Sequence, residues 1–545
     1  MGNLLQQSWG KLWVMHDDIK STLLFMTTGN NTNLSSNSST QVQVNKKKVS
    51  REPKRTPRQN IGLILGPLLF FIILLTLSPE GMSKEALGVL ASTVWIATWW
   101  ITEAIPIPAT SLLPVILFPL TGAVEKVGEI TSAYGDTNIF LFLGGFIIAI
   151  AMEKWNLHRR IALYIILFVG TSTERIVLGF MVATGFISMW ISNTATAMMM
   201  LPIALAVITH ITDLLAKQKE TIEENFGKAI MLGIAYSASI GGLGTLIGTP
   251  PNVIFASVIK ELFGVEISFA TWMAFGVPLS IILILFTWYY LVNVAFKVKM
   301  KNIPGGKEVI LDEKKSLGNM SFEEKLVLVV FMLTAFSWIT RTFILNKFIP
   351  ELDDTLIAII AAVVLFLLPS KQTKDGALIN WNDAKKVPWG ILLLFGGGLA
   401  IAKGFSSTGL AKWIGEQLTV LQGVHFLVVT FTVTTLVIFL TEITSNTATA
   451  TMMYPIMASL AIALNVHPFS LMVAAGIAAS CAFMLPVATP PNAIVFGSGH
   501  IRINDMVRAG FWINIVSIFV IVLLIYFYLP IVWNIDLNVL PPSMK

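Results

Sequence analysis

The sequence predicts an all-α membrane protein with about eleven transmembrane helices and two re-entrant hairpins, arranged as an inverted repeat. Three observations lead to this fold class: the composition, the length of the apolar runs, and a set of motifs that occurs twice. Of the 545 residues, 55% are hydrophobic and only 12% are charged. A water-soluble chain of this length needs more charge on its surface, whereas a chain solvated by hydrocarbon does not.

Composition also excludes several classes of protein. The single cysteine, Cys481, allows neither a disulfide framework nor a cysteine-based metal site, and the six histidines have no metal-ligand spacing. The sequence has no cluster of nucleophile, base or metal ligands, so neither an enzyme nor an organic cofactor is expected. The net charge of +6 comes from tails and loops beside apolar spans, which is typical of membrane topology and predicts no nucleic-acid partner.

Two basic segments, residues 46–58 and the central loop 297–325, determine the predicted topology. Both are expected in the cytoplasm, so an even number of spans, about six, separates them, and about five more place the C-terminus outside. The predicted location is the cell membrane, crossed many times, with a cytoplasmic N-terminus. The predicted regions are a disordered basic tail (1–58), a first transmembrane helix (59–85), a first repeat (86–298), a charged cytoplasmic loop (299–325), a second repeat (326–530) and an extracytoplasmic C-terminus (531–545).

The runs 176–212 and 424–465 are each long enough for two helices, and each has Ser-Asn-Thr near its middle. Each run is either an ordinary helical pair with a water-facing turn or a re-entrant hairpin whose polar tip is enclosed by protein. Both alternatives contribute an even number of crossings, so the predicted topology holds for either.

The motifs of the first half return in the same order in the second half. A glycine pair comes first in both, at Gly144-Gly145 and Gly396-Gly397. Because each half contains about five crossings, the second copy enters the membrane from the opposite side. Inverted repeats of this kind are typical of secondary transporters that bind substrate near the middle of the membrane. The other repeated segments are SNTATAMMMLPI (192–203) with SNTATATMMYPI (445–456), and TPPNVI (249–254) with TPPNAI (489–494).

Two of these motifs suggest a binding site. Thr249-Pro250-Pro251 and Thr489-Pro490-Pro491 interrupt apolar runs, because proline ends a continuous helix and threonine followed by proline starts a new one. Half-helices that begin inside the membrane direct positive dipole ends toward one point, which favours an anion there. Ser-Asn-Thr supplies neutral oxygens for a hard cation and donors for a carboxylate. The alternatives are a plain proline kink and hydrogen bonding between helices.

The charges near these motifs also carry information. No lysine or arginine occurs in the segments 188–212, 240–255, 441–465 and 484–495. A dianion bound between them would lack a fixed counter-charge, and bound cations would supply one, which favours symport over uniport. Glu442 is either a proton relay or a structural hydrogen-bonding group, and we favour the structural role.

Together with the paired SNTAT and TPPN motifs, the segment WWITEAIPIPATSLLP (99–114) resembles the divalent anion/sodium symporter family of INDY-like dicarboxylate transporters. The resemblance covers roughly residues 60–530. It implies a homodimer in which a mobile transport domain moves against a scaffold domain, as an elevator does. It also implies two sodium sites, each built by a hairpin tip and the facing helix break. The extension before Gln59 departs from the compact family pattern.

The resemblance implies individual ligands as well, position by position. The first sodium site would use Ser188, Ser192, Asn193 and Gly248. The second would use Thr441, Thr444, Asn446, Ala488 and Thr489, with Thr444 and Ala488 contributing backbone carbonyls. The dicarboxylate would contact Asn193, Thr194, Thr249, Ser445, Asn446, Thr447 and Pro490.

The expected function is import of C4-dicarboxylates (succinate, malate or fumarate) with sodium ions. The expected partners are the substrate, sodium as a co-transported ligand, the lipid bilayer and a second copy of the chain. Dicarboxylate/2-oxoglutarate exchange stays open, as do sulfate and citrate as substrates, because the sequence does not reveal the pocket volume. A channel is not favoured, since the polar residues are confined to two points and form no continuous polar pore.

Overall fold

The computed structural model describes residues 55–170, 172–217, 224–298, 306–373, 376–421 and 423–544, and these residues are predominantly α-helical. In this described part of the chain, the β pairing consists of an isolated bridge between Pro369 and Ala377. The predicted all-α class is therefore confirmed. The predicted basic tail up to residue 54 and residues 299–305 of the central loop lie outside the described residues.

The first half of the chain contains a frame of helices followed by a hairpin region. The frame is α1 (Pro57–Thr76), α2 (Lys84–Thr102), α3 (Ile107–Thr110), α4 (Leu113–Leu120), α5 (Val127–Thr131) and α6 (Thr137–Lys154). The hairpin region is α7 (Leu157–Val169), the hairpin helices α8 (Thr173–Ser188) and α9 (Asn193–Lys217), the interrupted pair α10 (Glu224–Gly242) and α11 (Pro250–Phe263), and α12 (Phe269–Tyr290), which a π-helical turn (Leu291–Ala295) extends.

The second half follows the same order. Its frame is α13 (Gly306–Ser316), α14 (Phe322–Thr340), α15 (Asp354–Leu367), α16 (Trp381–Ala384) and α17 (Trp389–Ser407). Its hairpin region is α18 (Leu410–Leu418), the hairpin helices α19 (Phe426–Thr441) and α20 (Asn446–Ala463), the interrupted pair α21 (Pro468–Ala479) and α22 (Pro490–Phe496), and then α23 (Ile503–Phe527) and α24 (Leu529–Trp533).

Both long apolar runs are pairs of helices joined at Ser-Asn-Thr. The first helix ends at Ser188 and the next begins at Asn193, and in the second half these positions are Thr441 and Asn446. The side chains of Ser188 and Thr441 are fully buried. The first hairpin helix of each half therefore ends inside the protein, as a re-entrant hairpin requires, although Ile443 in the second turn is exposed.

The outside of the helical bundle is apolar. Large side chains such as Leu75 and Phe168 are 81% and 91% exposed. Hydrocarbon can solvate such a surface, whereas water cannot. Six described helical stretches are long and apolar enough to cross a membrane: Pro57–Thr76, Val127–Lys154, Asn193–Thr212, Phe269–Ala295, Trp389–Ser407 and Ile503–Phe527. Shorter apolar stretches are Ile107–Leu120, Asp354–Leu367, Phe426–Thr441 and Pro468–Ala479.

The repeated glycine pairs allow helices of the frame to approach closely. A Cβ added at Gly144 of α6 would lie 2.7 Å from the backbone of Ala358 in α15. A Cβ added at Gly397 of α17 would lie 2.5 Å from the carbonyl oxygen of Ser111, which follows α3. Any larger residue at these positions would force the two helices apart. The third repeated motif is therefore a packing motif.

The base of the first hairpin shares one side of the molecule with the central loop. Helix α7 leads directly into this hairpin and packs against α13 of the loop. Arg159 of α7 forms an ion pair with Glu313 of α13, and the Lys314 ammonium lies 4.1 Å from the centre of the Tyr164 ring. The first hairpin base and the central loop therefore lie on the same side.

The base of the second hairpin packs against a later segment of the chain, residues 537–544. The backbone N–H of His467 donates to the Leu537 carbonyl at 3.1 Å, and the Leu540 N–H donates to the Asn465 carbonyl at 3.2 Å. Leu537 and Leu540 are buried in this contact. The second hairpin base and the C-terminal segment therefore lie on the same side.

We expect the two hairpin bases to face opposite sides of the membrane. Cys481→Ser removes the single native thiol, and Glu174→Cys or Val424→Cys then places one exposed thiol at the first or the second base. An impermeant thiol reagent added to intact cells should label position 424 and spare position 174, while permeabilised cells should show both. Labelling of both positions in intact cells, or the reverse pattern, would overturn this topology.

Candidate functional site

A cavity of about 480 Å³ lies where the two Ser-Asn-Thr turns meet the two Thr-Pro-Pro breaks. All the predicted ligands line it except Ser188 and Thr441, which lie behind it. Most of its remaining wall residues are apolar and include Phe142 and Phe146 of α6. The fold thus brings distant motifs to one place. The predicted ligands on the cavity wall are Ser192, Asn193, Thr194, Gly248 and Thr249 from the first half, and Thr444, Ser445, Asn446, Thr447, Ala488, Thr489 and Pro490 from the second.

The repeat extends to individual hydrogen bonds behind the cavity. Ser188 Oγ lies 2.6 Å from the side-chain oxygen of Asn193 and 2.6 Å from the Ala238 carbonyl oxygen. In the second half, Thr441 Oγ1 lies 2.8 Å from the side-chain oxygen of Asn446 and 2.8 Å from a carbonyl oxygen of α21. Each buried hydroxyl therefore ties the first residue of a hairpin helix to the interrupted helix behind it.

Oxygen atoms surround the side-chain oxygen of Asn193. It lies 3.2 Å from the carbonyl oxygens of both Ala238 and Gly248, as well as 2.6 Å from Ser188 Oγ. Turning the amide round would bring its nitrogen within hydrogen-bonding distance of all three atoms. A hard cation bound by Ser188, Asn193 and Gly248 would instead hold the oxygen toward them. Three of the four predicted ligands, Ser188, Asn193 and Gly248, thus lie close together, and their binding of sodium stays a prediction.

The side chain of Thr444, for which a role as a backbone ligand is predicted, is bonded within the second hairpin. Its hydroxyl lies 2.8 Å from the Leu440 carbonyl oxygen and 2.6 Å from the Thr449 hydroxyl. The side-chain oxygen is thus engaged within the hairpin, and the backbone carbonyl is the group left for a ligand. Ala488 lies across the cavity in the facing break and offers only backbone groups.

Both predicted helix breaks are present. Helix α11 begins at Pro250 and α22 begins at Pro490, each directly after an extended threonine. Thr489 Oγ1 accepts a hydrogen bond from the Asn492 N–H, whereas the Thr249 side chain makes no capping bond. The positive end of α11, a 14-residue helix, therefore faces the cavity, where it favours a carboxylate.

The asparagine that ends each TPPN motif bonds to the unwound segment, a role that was not predicted. Asn252 Nδ2 donates to the Gly242 carbonyl at 3.0 Å and to the Thr245 carbonyl at 2.7 Å. Asn492 Nδ2 donates to carbonyl oxygens in the other break at 3.1 and 3.0 Å. Both asparagines are buried. They hold the unwound segment against the helix that follows it. Their occurrence in both motifs was the feature of the sequence that could have predicted this role.

Glu442 is a structural hydrogen-bonding group, in agreement with the interpretation that we favoured. Its carboxylate accepts bonds from the backbone N–H groups of Phe483, Met484 and Leu485 at 2.8, 2.9 and 3.1 Å. A fourth bond comes from Asn514 Nδ2 at 2.7 Å. The carboxylate is buried and satisfies the free N–H groups where α21 ends. It thereby shapes the second break.

The cavity wall also contains two charged residues that were not predicted to lie there. Arg58 lies in the first turn of α1, and Glu103 ends α2 in a left-handed conformation with φ 51°. Arg58 donates to the carbonyl oxygens of Ile101 and Ile443. The expectation of a cavity without fixed positive charge is therefore wrong, although the motif segments themselves contain none. Arg58 was missed because it lies outside the repeat.

Glu442→Gln should destabilise the protein. The glutamine amide nitrogen would face a backbone N–H, so at least one buried donor would lose its acceptor. We expect the thermal unfolding midpoint in detergent to fall by about 5 °C or more. The exposed Glu416→Gln serves as a matched control and should leave the midpoint unchanged. An unchanged midpoint for Glu442→Gln would contradict the structural role.

Among solved structures, the fold is similar to two transporters. The YdaH transporter of Alcanivorax borkumensis has a TM-score of 0.55 and 12% identity, covering 83% of this chain and 99% of its own. MtrF of Neisseria gonorrhoeae, described as an antimetabolite efflux pump, has a TM-score of 0.51 and 12% identity. The match covers 84% of this chain and 96% of MtrF. At such low identity, the similarity extends to the fold alone.

The sequence is much closer to characterised relatives. A sodium-dependent dicarboxylate transporter, SdcS, of Staphylococcus saprophyticus is 56% identical over 486 residues, which is 88% of this chain and 93% of the relative. SdcS of Staphylococcus aureus strain USA300 is 53% identical over 496 residues, which is 90% of this chain and 95% of the relative. The family described as "Sodium:sulfate symporter transmembrane region" matches residues 58–535. The chain therefore belongs to the divalent anion/sodium symporter family that its motifs resemble.

Proposed function

We propose that this protein is a secondary active transporter that imports succinate, malate and fumarate together with sodium ions by an elevator mechanism. The observation that carries the proposal is a cavity to which each half of the chain contributes one Ser-Asn-Thr turn and one Thr-Pro-Pro break. Relatives more than half identical over most of the chain are named sodium-dependent dicarboxylate transporters, which supports the same substrate class here.

The oxygen-rich surroundings of Asn193 and Asn446 support sodium as the coupling ion. The Ser188 hydroxyl and the carbonyl oxygens of Ala238 and Gly248 lie within 3.2 Å of the Asn193 amide. The Thr441 hydroxyl lies 2.8 Å from the Asn446 side-chain oxygen. Neutral oxygens at such distances suit a hard monovalent cation and provide no group that carries a proton. Two bound sodium ions would add positive charge beside the substrate, so each ligand would strengthen the binding of the other.

The duplicated donors support a substrate with two carboxylates. Thr194 and Thr249 lie on the cavity wall in one half, and Ser445 and Thr447 lie there in the other. Each half can then bind one carboxylate of a four-carbon diacid through hydroxyl, amide and helix-end donors. A cavity of about 480 Å³ holds such a diacid with water. Sulfate, which the family description mentions, carries only one anionic centre and would use one half.

The arrangement of the helices supports alternating access by an elevator. In this proposal α8–α12 and α19–α23 move as a transport domain, while α1–α6 and α14–α17 form the scaffold of a homodimer, with about eleven crossings per chain. Trp190 at the first hairpin tip lies almost parallel to Trp338 of the scaffold, at 9° and 6.5 Å, a flat apolar contact that can slide. The hydrogen bond from the Phe269 N–H to the Asp354 carboxylate, 2.7 Å long, has to break when the transport domain moves against the scaffold.

Uptake of labelled succinate by proteoliposomes should require an inward sodium gradient. With choline in place of sodium we expect at least a tenfold slower uptake, even when a pH gradient is imposed, because the proposed ion ligands around Asn193 and Asn446 are neutral oxygens that carry no proton. Unlabelled malate and fumarate should compete, and sulfate and citrate should compete weakly. Robust uptake driven by pH alone would contradict sodium symport. Sodium-independent uptake that needs internal 2-oxoglutarate would identify an exchanger.

Asn193→Ala and Asn446→Ala should each reduce sodium-driven uptake by at least about tenfold while leaving the protein folded. Each asparagine is proposed to contact both a sodium ion and the substrate, so its loss removes two interactions. Asn538→Ala, on an exposed segment, is the control and should transport normally. Gel filtration of each variant separates loss of function from loss of folding. Near-normal uptake by either cavity variant would refute the shared site.

A further inference from the structure

The cavity has one positively charged side chain on its wall. Of the described residues that line it, only Arg58 and Glu103 are charged, and all the others are neutral. Arg58 lies in the first turn of α1, which starts with a capping box at Thr56. The cap and the frame helix therefore hold its backbone in place, while its side chain reaches the cavity.

The guanidinium of Arg58 connects two parts of the molecule. It donates to the Ile101 carbonyl near the end of α2 and, at 2.9 Å, to the Ile443 carbonyl. Ile443 directly precedes Thr444, Ser445 and Asn446, which form the tip of the second hairpin. Both acceptors are neutral carbonyl oxygens. A carboxylate accepts a stronger, charge-assisted bond from a guanidinium and can receive two such bonds at once.

We propose that Arg58 is a substrate-positioning residue that binds a carboxylate of the dicarboxylate at the cytoplasmic mouth of the cavity. In this arrangement the guanidinium exchanges its bond with the Ile443 carbonyl for one with the substrate. The hairpin tip is thereby released while the substrate is held. The inference rests on the proposed function and goes further, because it adds a ligand outside the repeated motifs.

The effect of Arg58 should be confined to one side of the membrane. Helix α1 precedes both repeats, and within the described residues no second copy of this helix places an arginine at the opposite mouth. The basic segment 46–58 ends at Arg58, and the positive-inside rule assigns that segment to the cytoplasm. An external substrate enters through the other mouth and should not depend on Arg58 for its first contact.

Glu103 has the opposite effect on the same mouth. Its carboxylate lines both the cavity and an adjoining groove with Arg55 and Gln59. It repels a dianion, and removing Arg58 would leave that repulsion uncompensated. Neutralising Glu103 should therefore lower the KM for cytoplasmic substrate, whereas neutralising Arg58 should raise it.

The test compares the two faces of the same transporter. Succinate KM is measured in right-side-out vesicles for the external face and in inside-out vesicles for the cytoplasmic face, both with saturating sodium. For Arg58→Gln we expect the cytoplasmic KM to rise about tenfold and the external KM to change less than about twofold. Raising the ionic strength should reduce this difference, since screening weakens a charge-based contact.

Three further variants make the result specific. Arg58→Lys keeps the charge but loses the bidentate geometry, so its cytoplasmic KM should be intermediate. If the Arg58→Gln protein does not insert into the membrane, the test is made with Arg58→Lys. Arg55→Gln removes a nearby exposed charge that does not line the cavity, and both KM values should stay within about twofold. Glu103→Gln should lower the cytoplasmic KM.

The outcomes separate this inference from the proposed function. If the unmodified protein transports no succinate, the proposed function fails. If it transports succinate but Arg58→Gln changes neither KM, or changes only the external one, the role of Arg58 is overturned. A rise in the cytoplasmic KM of Glu103→Gln would contradict the electrostatic explanation.

Discussion

Unpaired backbone inside an apolar bundle is the constraint on which this structure depends. Two helices are interrupted and two hairpins turn back within the protein, so N–H and C=O groups are freed where hydrocarbon offers no partner. Buried side chains supply the partners: Asn252 and Asn492 bind the freed carbonyls, and Glu442 binds the freed N–H groups. Ser188 and Thr441 then tie each hairpin tip to the interrupted helix behind it. The cavity exists because these partners keep the breaks open.

The two halves solve this problem with different chemistry. Met189 occupies in the first half the position of Glu442 in the second, and its backbone carbonyl accepts a bond from the buried Thr245 hydroxyl. One break is thus held by neutral groups and the other by a carboxylate whose bonds all come from uncharged donors. The second half therefore has a buried carboxyl group at the position where the first half has a thioether. The two proposed cation sites are therefore similar in their nearest donors and differ in the group behind them.

Much of this arrangement was predictable from the sequence. Apolar run length predicted the helices closely, since the run 176–212 corresponds to the hairpin from Thr173 to Lys217. The repeat, together with the family resemblance, predicted the cavity residues, because the same local pattern has to build the same turn twice. Arg58 was not predictable in this way, because its helix stands outside the repeat and its approach to Ile443 depends on packing between distant segments. Periodicity is informative within a helix and uninformative about which helices meet.

The base of the second hairpin is closed by residues that follow it much later in the chain. Asn465 and His467 find their backbone partners in Leu540 and Leu537, beyond α21–α24. A growing chain leaves the ribosome from its N-terminal end, so earlier elements can fold first. The first hairpin and its facing break can therefore assemble while the second half is still being made. The second hairpin acquires its final contacts only after synthesis has passed Leu540, which makes completion of the binding site one of the last steps in the biogenesis of the protein.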